Sequence, residues 1–178
     1  MAVGVPLVTC VFVALVVAVA AVDGALSDGR TSPAALERWS STALTAPSRP
    51  WRVLTSIPLT SGLRMTAGMA VVIAALFGLA EHVVGWRTAL VAGLAGSVAA
   101  TLVCDVALVA MRSPTAHALD FGPSAVTAGA AGALARRAPV PLAVAVAVVT
   151  LNGLVLHHQL PDAEHLVAFV VGLGAPQP

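Results

Sequence analysis

The chain has no lysine, few charges of any kind and only two cysteines, and each shortage excludes a class of protein. Charged side chains make up 10% of the 178 residues, and nine Arg against eight acids give a formal charge of +1. No polybasic surface can be assembled from that, so nucleic acid and docking on anionic lipid by a basic patch are both excluded. Cys10 and Cys104 each sit inside an apolar run with no CxxC or metal-like spacing, and they read as small packing residues. The amino terminus also lacks the basic stretch that precedes the apolar core of a signal peptide. The hydrophobic run over residues 3–22 therefore reads as a retained first span, although Ala18-Val19-Ala20 leaves a cleavage site open.

What is abundant is apolar: 58% of the residues are hydrophobic and the mean hydropathy is +0.95, outside the range of soluble domains. A span takes roughly 20 residues, so six would use about 120 and leave one longer loop; two soluble domains are excluded. We therefore expect one all-α, polytopic membrane domain over residues 1–178, a bundle of six helical segments in contact with the lipid bilayer. Residues 1–22 carry the first span, 23–64 a long interfacial loop, and 65–175 the other five segments.

The long loop holds Pro33, Pro47, Pro50, Pro58, five of the nine Arg and two of the three Trp, with Trp51 expected at headgroup level. Spans over 65–84 and 89–110, joined by a Gly85-Trp86-Arg87 turn, form a hairpin. Gly93, Gly96, Ser97 and Ala100 give the third span a small-residue face for close packing. From Ser124 only about 12 residues precede Arg136-Arg137, roughly 18 Å of helix against a core of about 30 Å. That fourth helix must begin below the membrane surface, fed by a loop buried in protein or facing water. A fifth span over 139–156, a loop over 157–161 and a short last helix over 162–175 follow. Three Arg fall on the amino-terminal side and six opposite, five of those in one long loop, so the positive-inside rule sets no orientation. The lysine-free, alanine- and arginine-rich composition fits a high-GC bacterial source, and hence a bacterial plasma membrane.

Polar groups inside apolar spans are costly, and each is a candidate site. Ser124, in Gly122-Pro123-Ser124-Ala125, opens the short fourth helix, where backbone N–H groups lack partners and the dipole favours negative charge. His165 lies near the start of the last helix. A serine hydroxyl needs an adjacent base and imidazole suits the task near neutral pH, so the two could form a dyad. The alternative is that Ser124 merely caps a helix while His165 sits in an interfacial turn. Asp105, mid-span, belongs either to a proton path or to a structural hydrogen bond, and Glu81 with His82 reads as an anchor at a span end. His157, His158, Asp162, Glu164 and His165 raise a metal site, but their spacing is not HExxH. Asp105 and Asn152 would serve a small transporter, although no inverted repeat is visible.

Three blocks in order resemble the rhomboid intramembrane serine proteases over residues 51–174. Trp51-Arg52-x-x-Thr55 is similar to the family's WR motif in the first loop, and Glu81 and Gly85 match the end of its second helix. Gly122-x-Ser124 followed by Gly129 and Gly132 resembles the GxSG nucleophile motif and its packing glycines. His165-x-x-Ala168-x-x-x-Gly172 resembles the HxxGxxxG of the last helix, with Ala for one Gly. The resemblance implies Ser124 as nucleophile and His165 as base, with peptide-bond hydrolysis in or beside the transmembrane segment of single-span substrates. It implies no metal and no cofactor.

The departures concern mechanism. Counting from Trp51 or back from Glu81 puts Met65 and Met69 where active rhomboids carry an HxxxN that supports the oxyanion hole beside Gly122, and Met is no donor. Ala125 replaces the second Gly of GxSG, and Ala128 stands where an aromatic ring often packs on the His. Asp162, one turn before His165, could orient the imidazole or merely cap the helix. Two functions stay open: a Ser–His protease, or a rhomboid-like pseudoprotease that binds membrane clients without cutting them.

Overall fold

The computed structural model describes residues 5–156 and 160–176, with side chains described for 5–148 and 163–176. The chain is all-helical, and among the described residues the only β pairing is two isolated bridges, Arg30 with Gly62 and Ser41 with Asp120. Helix α1 runs Leu7–Val22, α2 Pro33–Trp39 and α3 Arg52–Thr55. The long α4 spans Leu63–Val84, with a π-helical stretch at Ile73–Phe77. Helix α5 is Trp86–Ala110, α6 Ser124–Arg137, α7 Val140–Leu156 and α8 Leu160–Leu173.

Three boundaries differ from the sequence expectation, each for a local reason. The turn between α4 and α5 is one residue: Gly85 takes φ +87°, which an L side chain resists, so Trp86 and Arg87 already belong to the helix. Helix α8 starts at Leu160 and includes Pro161, because proline suits a first helical turn that needs no N–H. The 23–64 loop is folded rather than merely interfacial. Ser32 caps α2 through its hydroxyl, which accepts from the Ala35 N–H, and Pro33 opens that helix. The sequence expectations for His157 and His158 lie outside the described residues, and those for Asn152 and Asp162 outside the described side chains.

Helices α5, α6 and α8 pack most extensively on one another, and small residues make this possible. A Cβ on Gly96 would come within 2.9 Å of the Ala168 carbonyl oxygen, and one on Gly129 within 2.5 Å of the Ala92 oxygen. On Gly132 it would strike the Phe169 carbonyl and on Gly172 that of Gly129. Polar side chains go inward with them: Ser97, Thr101 and Asp105 of α5 are buried, while Val91, Leu102, Val103 and Val106 of the same helix are exposed. Helices α4 and α5 are each long and apolar enough to cross a membrane.

Helix α1 lies against α4, where Phe12 meets Phe77 edge-on at 5.7 Å between ring centroids. Pro6 precedes α1 and no side chain caps it locally. The cap comes from α4 instead: Glu81 accepts hydrogen bonds from the Val8 N–H (3.1 Å), the Thr9 N–H (2.8 Å) and the Thr9 hydroxyl (2.7 Å). The sequence reading of Glu81 as an interhelical anchor thus acquires its partner, and the carboxyl also meets the positive end of the helix dipole. We expect Glu81→Ala to cost about 2 kcal/mol, a fall of roughly 4–8 °C in Tm. Thermal unfolding in detergent checks this, together with faster amide exchange at residues 7–10; unchanged values for both would deny the cap its role.

Candidate functional site

The segment before α6 is held from three sides. Asp120 exchanges two backbone hydrogen bonds with Ser41, at 3.0 and 2.8 Å. The Gly122 N–H donates to the Ser56 carbonyl oxygen at 3.0 Å, and Gly122 adopts φ +127° with the Met65 methyl against it. Gly122 therefore serves the turn, its own N–H being committed to Ser56. Pro123 follows as N-cap without any side-chain cap, and the first i−4 backbone bond of α6 runs from Thr127 to Pro123. The N–H groups of Ser124, Ala125 and Val126 accordingly have no helical partner, which leaves the first turn electropositive.

Ser124 and His165 come from separate helices and line one cavity of about 190 Å³, together with Met69, Val72, Leu76, Thr127 and Ala128. Both side chains are half-buried. Apart from Thr127, whose hydroxyl donates to the Pro123 carbonyl oxygen, the cavity otherwise presents apolar groups. Met69 shares this cavity with Val72 and Leu76 of the same helix, so α4 forms one wall beside the Ser–His pair.

A second cavity of about 200 Å³ opens on the other side of Ser124 and is polar, lined by Ser56, Met65, Ser97, Thr101, Asp120, Gly122 and Glu164 among others. Met65 borders it, its sulfur accepting from the Ser61 N–H (3.3 Å) and hydroxyl (3.4 Å). Thr101 donates to Asp120 at 3.3 Å, and Asp120 is also hydrogen-bonded to Glu164. Desolvation pushes the Asp120 carboxyl above its ordinary value, outweighing the hydrogen bonds with Thr101 and Glu164 that lower it.

Asp120 is the residue that sequence reasoning passed over, and Glu164 had entered only as a possible metal ligand. A faint signal existed, since one acid stands four residues before Ser124 and the other immediately before His165. Asp105 is buried on α5 and feels the charges of both acids, and its Oδ2 has no hydrogen-bond partner among the described residues. Among the described residues no group of three or more His, Cys, Asp or Glu is placed to hold a metal ion.

The other motif residues are structural. Trp51 is exposed and immediately precedes α3, whose first residue, Arg52, is buried. Gly129, Gly132 and Gly172 form the α5–α6–α8 junction that carries Ser124 and His165. Arg136 donates to the Leu173 and Ala175 carbonyls at 3.2 and 3.1 Å, tying the end of α6 to that of α8. No family model, no curated protein and no solved structure matches the chain.

Proposed function

We propose that the chain is a rhomboid-like, six-segment membrane protein whose Ser124 and His165 hydrolyse peptide bonds in or beside the transmembrane segment of single-span proteins. One observation carries the reading: Ser124 and His165 line the same cavity at the start of a short helix that begins partway along α5. Ser124 also shares a cavity with Thr101, which stands two and a half turns before the Ala110 end of α5, about 14 Å. A helix that starts that deep needs a water-facing or protein-buried feed, which the polar cavity supplies.

Membrane placement is supported by the distribution of side chains. Only 28% of the apolar window of α4 is buried, whereas a core helix of a soluble protein would be mostly covered. Aliphatic groups face outward while Ser97, Thr101, Asp105 and Thr127 face inward, the order expected where lipid is the solvent. A bacterial plasma membrane is the proposed location.

In the proposed reaction His165 takes the Ser124 proton as Oγ attacks the substrate carbonyl carbon. The peptide C–N bond then breaks, His165 returns the proton to the leaving amine, and water hydrolyses the acyl-enzyme by the same relay. Amides of the first α6 turn stabilise the oxyanion. A second reading, a client-binding protein that does not cut, is favoured by Met65 and Met69, which border the two Ser124 cavities without offering a donor.

Labelling of the detergent-purified protein with a fluorophosphonate decides between them. The protease reading expects slow labelling that disappears in both Ser124→Ala and His165→Ala. Folded wild type that stays unlabelled beside a reactive serine-hydrolase control would leave the client-binding reading.

A further inference from the structure

Asp120 and Glu164 reach each other from opposite sides of the candidate dyad. Asp120 sits in the segment that feeds Ser124 into α6, pinned by its backbone to Ser41, while Glu164 is the residue before His165 on α8. Their carboxyls are hydrogen-bonded, and both line the polar cavity that Ser124 borders. Two carboxylates cannot donate to each other, so a hydrogen bond between them requires one proton on the pair. Among the described residues that line the cavity there is no Arg or His to take the place of that proton. From α5, the titratable groups are Asp105 and Cys104, and both interact with the pair as potential anions. The first loop contributes Ser56 and Ile57 and α4 contributes Met65, none of which titrates, and α8 carries His165 next to Glu164.

We propose that Asp120 and Glu164 share one proton and act as positioning residues, a latch that holds the segment before Ser124 against the start of α8 and so keeps Ser124 and His165 in register. For its catalytic consequence the latch rests on the dyad reading; for its existence it does not. The sign of the pH effect follows from the proton. Burial disfavours charge on the Asp120 carboxyl, so the pair holds its shared proton more tightly in the fold than in the open chain. Its contribution is therefore complete below the ordinary carboxylate range and is lost as pH rises through the raised value in the fold. At alkaline pH the two carboxylates repel and the latch opens.

The test compares wild type, Glu164→Gln and Glu164→Ala in detergent between pH 6 and pH 9. Amide exchange over residues 112–123, corrected for the intrinsic effect of pH, is read beside the fluorophosphonate labelling rate. A neutral amide keeps a donor for Asp120 at every pH. Wild-type exchange should thus rise about tenfold across the range, Glu164→Gln should stay flat, and Glu164→Ala should exchange fast throughout. Labelling should show an alkaline fall in the wild type that Glu164→Gln lacks. Flat wild-type exchange, or a rise that Glu164→Gln shares, overturns the latch. A wild type that never labels while its exchange follows the pattern supports the latch and counts against the dyad alone.

Discussion

Gly172→Ala and Gly132→Ala should each unfold the bundle or leave it severely weakened. A Cβ at Gly172 would run into the Gly129 carbonyl and one at Gly132 into the Phe169 carbonyl, both of them backbone atoms that cannot rotate away. The only relief is to move α8 off α6, which also disturbs the contact of α8 with α5 at Gly96 and Ala168, since one junction serves all three helices. Overpacking typically costs about 1–3 kcal/mol, and where backbone atoms must move we expect the upper end, about 3 kcal/mol, which in a chain of this size is roughly 6–12 °C in Tm. Gly68 supplies the control, for it lies in α4 with nothing within 4 Å of its added Cβ. Gly68→Ala should be neutral or slightly stabilising, because alanine is the better helix former by about 1 kcal/mol. Thermal unfolding in detergent reads all three, and a Gly172→Ala protein as stable as Gly68→Ala would show that α6 and α8 are not in backbone contact.

The same junction explains why part of the site was legible in the sequence. Small residues at helical spacing, Gly93-x-x-Gly96 in α5, Gly129-x-x-Gly132 in α6 and Gly172 in α8, mark where backbones meet, and their helices deliver Ser124 and His165 to one cavity. Hydrophobic run lengths placed the ends of α4 and α5 at Val84 and Ala110 and their starts two and three residues late, because both runs are long and uninterrupted. What the pattern could not give is tertiary. The cap that Glu81 places on α1 joins residues far apart in the chain, and no local signal names Val8 and Thr9 as its partners. Asp120 and Glu164 are likewise read as unrelated acids until the fold makes them neighbours. The π stretch at Ile73–Phe77, which begins and ends on the buried Ile73 and Phe77, has no mark in the local composition. Pro161 was misplaced for a different reason: proline breaks helices and also begins them, and residue type alone does not say which.

Introducing hydrogen-bond donors at Met65 and Met69 should accelerate Ser124 chemistry if the proposed dyad is assembled. The two side chains stand one helical turn apart on α4 and border the two cavities that meet at Ser124, so a donor at either position reaches the region where an oxyanion would form. A thioether supplies none, and the sulfur of Met65 is engaged as an acceptor from Ser61. Loss of one preorganised donor typically costs about 100- to 1000-fold in rate. The double substitution Met65→His with Met69→Asn, which recreates the HxxxN spacing on the same helix face, should therefore raise the fluorophosphonate labelling rate by about 100-fold or more. Met69→Asn alone should give a smaller gain, since Met69 shares the cavity of both Ser124 and His165. The gain must vanish in a Ser124→Ala background. The volume is favourable, because both replacements fit within the reach of the methionine they replace, although the Met65 methyl now resting on Gly122 must be substituted by ring edge. A folded double variant that labels no faster than wild type would mean that the oxyanion side does not limit reactivity. What limits reactivity would then lie with the Ser124–His165 pair itself, and the client-binding reading would gain what the protease reading forfeits.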